Sequence, residues 1–401
     1  MTTETSSAAT DSSKSTGPVI LLLALAAFAS SSTFRICDAL LTVFANEFDI
    51  RTAQASTTVM YFAIAYGVMQ FFYGPVSDRF GKFRVLSFAT FGCAIGSLIV
   101  TTGPTFKWIE IGRLFSGATA AGIIPLSMAW IGDHVPYERR QATLAKFMLG
   151  SITGLAAGQL MGGIFADTIG WRWAFVLMTV VYLLVGTLLI TKRNAVPEHV
   201  STAKQKFSLI APMQQVLSIG WARFVLLTVL LEGALVFGPL AFVPAYLHEH
   251  HGLSVAWAGM IGGMFAIGAA AYALRANILV SRFGERKLTL YGGALLGFAS
   301  ALYWLTSAWY WGVTASILSG FGYYLLHAVL QTNATQMAPA VRGTAVSLFA
   351  SCLFLGQSLG VIGAAWLVDV FGLWSVFPVG MVTLPILGFW FAWRLQHRQA
   401  S

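Results

Sequence analysis

Twelve apolar stretches follow one another through the chain, and this feature constrains the fold more than any other. They lie near residues 18–44, 55–76, 84–103, 108–131, 141–166, 171–191, 221–247, 255–280, 287–306, 309–334, 343–369 and 373–394. About 20 apolar residues make a helix long enough to cross a bilayer core of roughly 30 Å. Because lipid offers the backbone no hydrogen-bond partner, such segments are helical. The sequence therefore predicts an all-α membrane protein with twelve transmembrane helices.

The composition agrees with this prediction, since 57% of the 401 residues are hydrophobic and only 10% are charged. A soluble protein of this length would show a more charged surface. The three cysteines, Cys37, Cys93 and Cys352, lie inside apolar stretches and form no CxxC pair. We therefore expect no disulfide framework, no metal site and no cofactor. The histidine-rich run HEHH (248–251) ends an apolar stretch and is interpreted as an exposed cluster.

Polar segments divide the chain almost in half. Residues 1–17 are rich in serine and threonine and are predicted to form a disordered tail. Residues 192–220 form the longest polar segment inside the chain and are predicted to be a linker, while 395–401 form a second tail. The sequence thus predicts two six-helix bundles, residues 18–191 and 221–394.

Lysine and arginine are distributed unequally between the two sets of loops. One set holds most of the basic residues, whereas the other holds only Arg51, Lys107 and Arg172. Since basic loops remain in the cytoplasm, both termini and the linker are predicted to be cytoplasmic, in a bacterial inner (plasma) membrane. The formal net charge of +9 then reflects topology, and no nucleic-acid partner is expected.

The two halves repeat each other in sequence. SDRFGKFRVL (77–86) aligns with VSRFGERKLT (280–289), and GLAAGQLMGGIFADTIGWRWAF (154–175) aligns with GQSLGVIGAAWLVDVFGLWSVF (356–377). Two distant matches at nearly the same offset indicate a parallel repeat. In transporters built this way, the substrate site lies at mid-membrane between the halves.

Three motifs carry a resemblance to the major facilitator superfamily that covers essentially the whole chain. GPVSDRFGKFR (74–84) resembles its signature loop, GRLFSGATAAG (112–122) resembles the fourth-span motif of the drug:proton antiporter branch, and GLAAGQLMGG (154–163) resembles the antiporter motif of that branch. Gln159 occupies the place where the branch has proline. The resemblance implies the twelve-helix fold, alternating access and proton-coupled export. The residues that match the gating loop are Gly74, Asp78, Arg79, Gly81, Lys82 and Arg84.

Each motif also has a physical interpretation. Gly81 permits a sharp turn, and Asp78 can accept from helix-end amides of a neighbouring span when the cytoplasmic side is closed. Alternatively, the basic residues of this loop only fix topology. Gly154, Gly158 and Gly162 share one helical face, which permits close packing against another helix.

Ionisable residues are rare inside the apolar stretches. Each costs roughly 2.5–3.5 kcal/mol on insertion scales, so it is retained mainly beside a cavity or a partner. Arg35 and Asp38 lie one turn apart on the first stretch, and Arg113 comes at a similar depth on the fourth. We expect Asp38 to carry the coupling proton, with Arg113 as its alternating ion-pair partner and Arg35 as a neighbouring cation. The alternative is that Arg35 pairs with Asp38 and that Arg113 binds backbone carbonyls.

Four further polar residues are candidates for substrate binding. Glu232 lies near mid-membrane with no cation close in sequence, so it is expected to be protonated, paired across the cavity or free for a cationic ligand. His327 and Gln331 share a face of the tenth stretch, and Tyr324 falls near it. A satisfied hydrogen bond between helices is the alternative for His327.

These observations predict a monomeric, proton-linked secondary transporter that exports a drug-like molecule or a metabolite. Its partners are a small-molecule substrate, protons and membrane lipid. An importer of a small metabolite or organic anion, with Arg35 or Arg113 on a carboxylate, and a non-transporting sensor remain alternatives. The chain contains no GxSxG, HExxH or Walker motif, so it is not expected to be an enzyme.

Overall fold

The fold is taken from a computed structural model that describes residues 4–192 and 210–399, which contain helices and no strand. Eleven helical segments within these described residues are long and apolar enough to cross a membrane. The longest, Val255–Leu305, has 51 residues, and at about 1.5 Å per residue it would be far longer than a bilayer is thick. It is broken at Gly284, where φ is 67°. Counted as two spans, it brings the total to twelve, so the predicted fold class is confirmed.

We number these helices α1 to α12. Their bounds are α1 Gly17–Phe48, α2 Thr52–Phe80, α3 Lys82–Thr102, α4 Phe106–His134, α5 Arg139–Asp167, α6 Arg172–Lys192, α7 Gly220–His251, α8 255–283, α9 285–305, α10 Tyr310–Gln336, α11 Pro339–Phe371 and α12 Leu373–His397.

The polar segments that flank the two predicted bundles contain more helix than the sequence predicted. The helix that contains α1 already begins at Glu4, whereas a disordered tail was predicted over 1–17. No proline precedes Pro18, so nothing in the backbone stops the helix from extending. Residues 193–209 of the predicted linker lie outside the described residues, and the rest contains a short helix, Ile210–Ser218. The last helix continues to Gln399, through much of the predicted 395–401 tail.

Equivalent helices pack in the same way in the two halves. A methyl group added at Gly154, Gly158 or Gly162 of α5 would come within 2.5 Å of a carbonyl oxygen of α1. In the second half, Gly356 and Gly360 of α11 meet carbonyl oxygens of α7 just as closely. Such contacts require glycine, because they bring two helix backbones together.

The repeat also extends to the turns. Gly81, between α2 and α3, has a φ of 92°, and its counterpart Gly284, between α8 and α9, has a φ of 67°. Gly170 and Gly372, which align at the ends of α5 and α11, have φ values of 103° and 89°. This left-handed region is open to glycine without strain. The repeat found in the sequence therefore also exists in the backbone.

We call the membrane face that contains Gly81 and Gly284 the basic side, and the other face the opposite side. The halves are joined on the opposite side, where Arg51 pairs with Asp369 and Asp167 accepts from the Ala256 amide at 2.7 Å. Further contacts reach mid-height, where the Ser351 hydroxyl donates to the Gly67 carbonyl at 2.8 Å. Near the basic side, Gln331 and Arg342 are exposed. The molecule is thus closed toward the opposite side and open toward the basic side.

Candidate functional site

A cavity of about 140 Å³ lies between the two halves near mid-height. Its polar lining comes from Ser30, Ser31 and Arg35 of α1, Ser151 of α5 and Gln357 of α11. Its apolar lining is largely aromatic and includes Phe34, Tyr66, Phe237, Phe265, Tyr323, Tyr324 and Phe354. Helices of both halves therefore contribute to one central chamber, at the level that the repeat predicted.

Aromatic contacts across the seam between the halves narrow this cavity. Phe354 of α11 lies 5.6 Å from the Phe34 ring centroid and 4.0 Å from that of Tyr66. Sites for drug-sized ligands usually measure roughly 300–1,000 Å³, so a ligand of that size requires these rings to move apart.

Asp38 lies just beyond the cavity toward the opposite side. Its helix tightens there into a 3₁₀ segment, Ile36–Leu40, and the carboxylate is fully buried. The Arg35 guanidinium donates to Asp38 Oδ2 at 2.6 Å, and Gln159 Nε2 donates to the same oxygen at 3.1 Å. Because Arg35 also lines the cavity, it connects the buried carboxylate with the chamber.

Arg113 does not pair with Asp38, so the expected ion pair is wrong for this conformation. Its guanidinium instead donates to the carbonyls of Thr33 at 2.6 Å, Thr58 at 3.1 Å and Phe34 at 3.4 Å. This arrangement is the alternative that the sequence left open. The planar guanidinium has five N–H donors and can therefore bind several carbonyls at once. Arg113 of α4 thereby links α1 and α2.

The hydrogen-bond partner of Glu232 lies on another helix. His327 Nδ1 of α10 lies 2.8 Å from Glu232 Oε2, and Tyr323 stacks on the His327 ring at 4.7 Å. A π-helical segment, Gly233–Phe237, follows Glu232 directly. Such widened turns often occur at functional sites.

The four substrate-binding candidates are not equally placed. Tyr324 lines the cavity. His327 and Glu232 form a pair behind the aromatic lining, and Glu232 Oε1 has no hydrogen-bond partner among the described residues. Gln331 is exposed toward the basic side. The four candidates therefore lie in three different environments.

The gating-loop residues lie together at the basic side. Gly81 forms the turn, and Lys82 pairs with Asp133 of α4. Asp78 and Arg79 are exposed, and Gly74 has open space around its Cα. Arg84 is exposed as well, with its guanidinium over the Phe88 ring. The loop thus presents Asp78 on the open side of the molecule.

The HEHH run at the end of α7 engages in local contacts. His248 Nδ1 lies 2.6 Å from the Leu253 carbonyl oxygen, and His250 stacks on Tyr246. Within residues 4–192 and 210–399, no cluster of three or more histidine, cysteine or acidic side chains could hold a metal ion.

Four polar residues of the cavity wall, Ser30, Ser31, Ser151 and Gln357, were not predicted from the sequence. Gln357 is 1% exposed, and its Nε2 has no hydrogen-bond partner in the described part of the chain. A buried donor without a partner is costly unless a ligand or water satisfies it. In the sequence, Gln357 stands out only as an amide side chain within an apolar stretch.

Comparison with known proteins places the chain in a family. The model of the Major Facilitator Superfamily matches residues 23–361 and 249–401. The chain is 23% identical over 340 residues to the uncharacterized MFS-type transporter YceJ of Bacillus subtilis, covering 82% of this chain and 83% of YceJ. It is 22% identical to the uncharacterized MFS-type transporter YybF of the same organism, covering 92% of each.

A shorter match links the chain to a resistance protein. It is 26% identical over 161 residues to the quinolone resistance protein NorB of Staphylococcus aureus, which is 40% of this chain and 34% of NorB.

Solved structures show the same fold. A bacterial homolog of the human lysosomal transporter Spinster, in an inward-facing conformation, superposes with a TM-score of 0.72 at 18% identity over 94% of both chains. A POT family transporter in complex with 5-aminolevulinic acid gives a TM-score of 0.78 at 12% identity, covering 93% of this chain and 95% of that one. The chain belongs to the major facilitator superfamily of membrane transporters.

Proposed function

We propose that this transporter is a proton-coupled exporter of a small molecule, in which residues 18–191 rock against residues 221–394. The observation that carries the proposal is the buried Asp38, which is held by Arg35 at the edge of the central cavity. A carrier driven by protons needs a carboxyl group that binds and releases a proton as the cavity changes sides. Burial beside a movable cation tunes a carboxyl group for that task.

In this proposal Arg35, rather than Arg113, is the partner of Asp38 while the cavity opens to the basic side. Arg113 is occupied by three backbone carbonyls, and it reaches Asp38 only if α1 and α2 rearrange. The role of Arg113 as the alternating partner therefore belongs to the other conformation of the cycle.

Glu232 and His327 form the substrate-recognition part of the proposal. Glu232 Oε1 is a buried acceptor without a donor among the described residues, and a cationic or hydrogen-bond-donating substrate would supply one. Entry of such a substrate requires Tyr323, which stacks on His327, to turn aside. The similarity to NorB supports export, since that protein is a quinolone resistance protein.

The coupling test uses purified transporter in liposomes that contain a pH-sensitive dye. Adding substrate to the wild type should move protons, and Asp38→Asn should abolish this movement while retaining substrate binding. Glu232→Gln should weaken binding first. If Asp38→Asn couples normally and Glu232→Gln does not, the two roles are reversed. If substrate flux occurs without proton movement in the wild type, the transporter is not proton-coupled.

Import of a small organic anion is the second candidate, and the cavity wall favours it in one respect. Arg35 lines the chamber, and a guanidinium binds a carboxylate through two parallel hydrogen bonds. With an inward proton gradient, accumulation of a labelled carboxylate in the liposomes would favour import, whereas its expulsion would favour export. The absence of flux for any substrate that binds would indicate a sensor.

A further inference from the structure

Gln159 departs from the proline of the antiporter motif, and the structure shows what its side chain does. Gln159 is 1% exposed on α5. Its Nε2 reaches α1 and donates to Asp38 Oδ2 at 3.1 Å, the oxygen that also accepts from Arg35. The other charged or titratable groups near Asp38 are Arg113 and Cys37. A proline at this position could neither donate nor accept with its side chain.

The two remaining oxygens of the pair lack donors. Asp38 Oδ1 and Gln159 Oε1 are both buried without a hydrogen-bond partner within the described residues. Leaving a buried polar atom unpaired costs about 1–3 kcal/mol. A single proton on Asp38 would convert one of these oxygens into a donor. Since an amide both donates and accepts, Gln159 can hydrogen-bond the carboxylate and the carboxylic acid by turning its amide group.

The same residue also contacts the seam between the halves. A methyl group at Gly259 of α8 would lie 2.5 Å from the Gln159 carbonyl oxygen, and one at Gly262 would lie 2.4 Å from Gln159 Oε1. The amide therefore has no free space on its α8 side. A turn of the amide that follows the proton on Asp38 must change its contact with Gly262.

We infer that Gln159 is a positioning residue that hydrogen-bonds Asp38 in both protonation states and transmits that state to the α5–α8 seam. This inference rests on the proposed function, in which Asp38 carries the proton. A change in the proton on Asp38 turns the amide, and the altered contact with Gly262 changes the closure of the opposite side. At the position where the motif has a proline, this chain thus has a side chain whose hydrogen bond to Asp38 can change direction.

The test measures how opening of the opposite side depends on pH. Val255, 7% exposed at the seam, is changed to cysteine and labelled from the opposite side with a membrane-impermeant maleimide, with the protein lacking this cysteine as background. In wild-type Gln159 the labelling rate should change with pH. Gln159→Leu and Gln159→Met keep the volume without the amide, and each should shift the midpoint by at least one pH unit at unchanged ligand affinity.

The outcomes separate this inference from the proposed function. If labelling depends on pH and both variants keep the wild-type midpoint, Gln159 does not transmit the state and the inference is overturned. If Asp38→Asn leaves the pH dependence intact, Asp38 is not the proton carrier and both proposals fall. Asp38→Asn should abolish the pH dependence of labelling. The double variant Asp38→Asn/Gln159→Leu should therefore be labelled at the same rate as Asp38→Asn alone.

A second inference comes from the outer surface of the C-terminal half. Two adjoining depressions of about 440 and 590 Å³ lie among α8, α9 and α10, and Leu279, Phe283 and Phe321 line both. Their walls are apolar, including the exposed Phe298 and Tyr291. We call this combined depression the outer groove. It is several times larger than the central cavity.

Two arginines on α8, Arg275 and Arg282, complete the wall of the outer groove. Both are exposed, and neither forms an ion pair with a carboxylate of the described chain. Arg275 lies seven residues before Arg282, so it is about 10 Å deeper along the helix axis. A guanidinium at that depth beside apolar side chains is costly unless an anion accompanies it.

We propose that the outer groove binds one anionic phospholipid from the leaflet on the basic side. Its phosphate would lie between Arg275 and Arg282, and one acyl chain would lie along Leu279 and Phe298. The charge and the apolar lining together match this amphipathic anion and match neither free phosphate nor a neutral lipid.

Native mass spectrometry of the purified transporter tests this site with phosphatidylglycerol and phosphatidylcholine. The wild type should retain phosphatidylglycerol at least fivefold better, and Arg275→Gln/Arg282→Gln should lose that preference. Arg286→Gln/Lys287→Gln removes the same charge from the next turn, outside the groove lining, and should keep it. Equal retention of both lipids, or equal loss in both double variants, would overturn the proposal.

Discussion

Buried charged side chains in this transporter are compensated in three different ways. Asp38 is paired with Arg35 at 2.6 Å, Glu232 with His327 at 2.8 Å, and Arg113 with backbone carbonyls only. Because carbonyls cannot be protonated at ordinary pH, the Arg113 site is structural in this conformation. The two carboxylates can change their charge, so they are the groups that a transport cycle can use.

Arg113→Lys should lower the stability of the folded transporter. The ammonium group of lysine cannot make the hydrogen bonds that the guanidinium group donates to the carbonyls of Thr33, Thr58 and Phe34. Loss of one or two hydrogen bonds to a charged group predicts a decrease of ~3 kcal/mol in the free energy of unfolding. Thermal unfolding in detergent measures the decrease. Arg172→Lys, at a partly exposed ion pair with Glu47, is the control and should change stability by less than about 1 kcal/mol.

At the scale of helices, the sequence predicted twelve spans because each apolar stretch has the length of the bilayer. It did not predict the 3₁₀ segment Ile36–Leu40 or the π-helical segment Gly233–Phe237. Each depends on how a buried carboxylate fits against other helices, which hydropathy does not record. The sequence left open a partner for Glu232 across the cavity and a hydrogen bond between helices for His327, but it could not match the two, since the pair depends on the rotation of α7 and α10 about their axes.

Gly158→Ala should weaken the contact between α5 and α1. The added methyl group would lie 2.2 Å from the Ser32 carbonyl oxygen, so the backbones must separate. Overpacking of this kind costs about 1–3 kcal/mol. The fraction of protein that remains monodisperse after heating in detergent should fall. Gly132→Ala on α4, where nothing lies within 4 Å, should match the wild type, and an equal fall in both variants would contradict this account.

For the whole molecule, the described contacts between the halves lie toward the opposite side, so α5 with α8 and α2 with α11 act as closed seams. Both seams rest on small residues. Gly163 approaches Val255 and Ala256, and Gly67 approaches the Ser351 carbonyl. Reopening them while the basic side closes is the movement that alternating access requires. The sequence repeat predicted two similar halves, but it could not predict which side is closed.

Asp78→Asn should reduce transport at least tenfold without reducing the amount of membrane-inserted protein. Asp78 is exposed while the basic side is open, and we expect it to accept from helix-end amides when that side closes. Flux in liposomes, normalised to inserted protein, measures the loss. Glu285→Gln removes one negative charge from the same side, outside residues 74–84, and a similar reduction there would indicate a general charge effect.

Reporter fusions should place both termini and residues 192–220 in the cytoplasm. The asymmetry of lysine and arginine between the two sides predicts this orientation. An enzyme active only outside the cytoplasm, fused at the short turn near Gly103 and in the linker, distinguishes the two sides. Activity at the linker and inactivity near Gly103 would invert the topology.

The closure of the opposite side contains charges that solvent reaches. Arg51 is 72% exposed and its partner Asp369 is 25% exposed, whereas Asp38 is fully buried. Dissolved salt screens exposed charges over roughly 8 Å at physiological ionic strength and affects buried pairs much less. The lifetime of the closed state should therefore shorten as salt increases on that side, while proton binding at Asp38 stays nearly constant. If the opposite side faces outward, as the distribution of basic residues predicts, the ionic strength outside the cell sets how often the transporter opens.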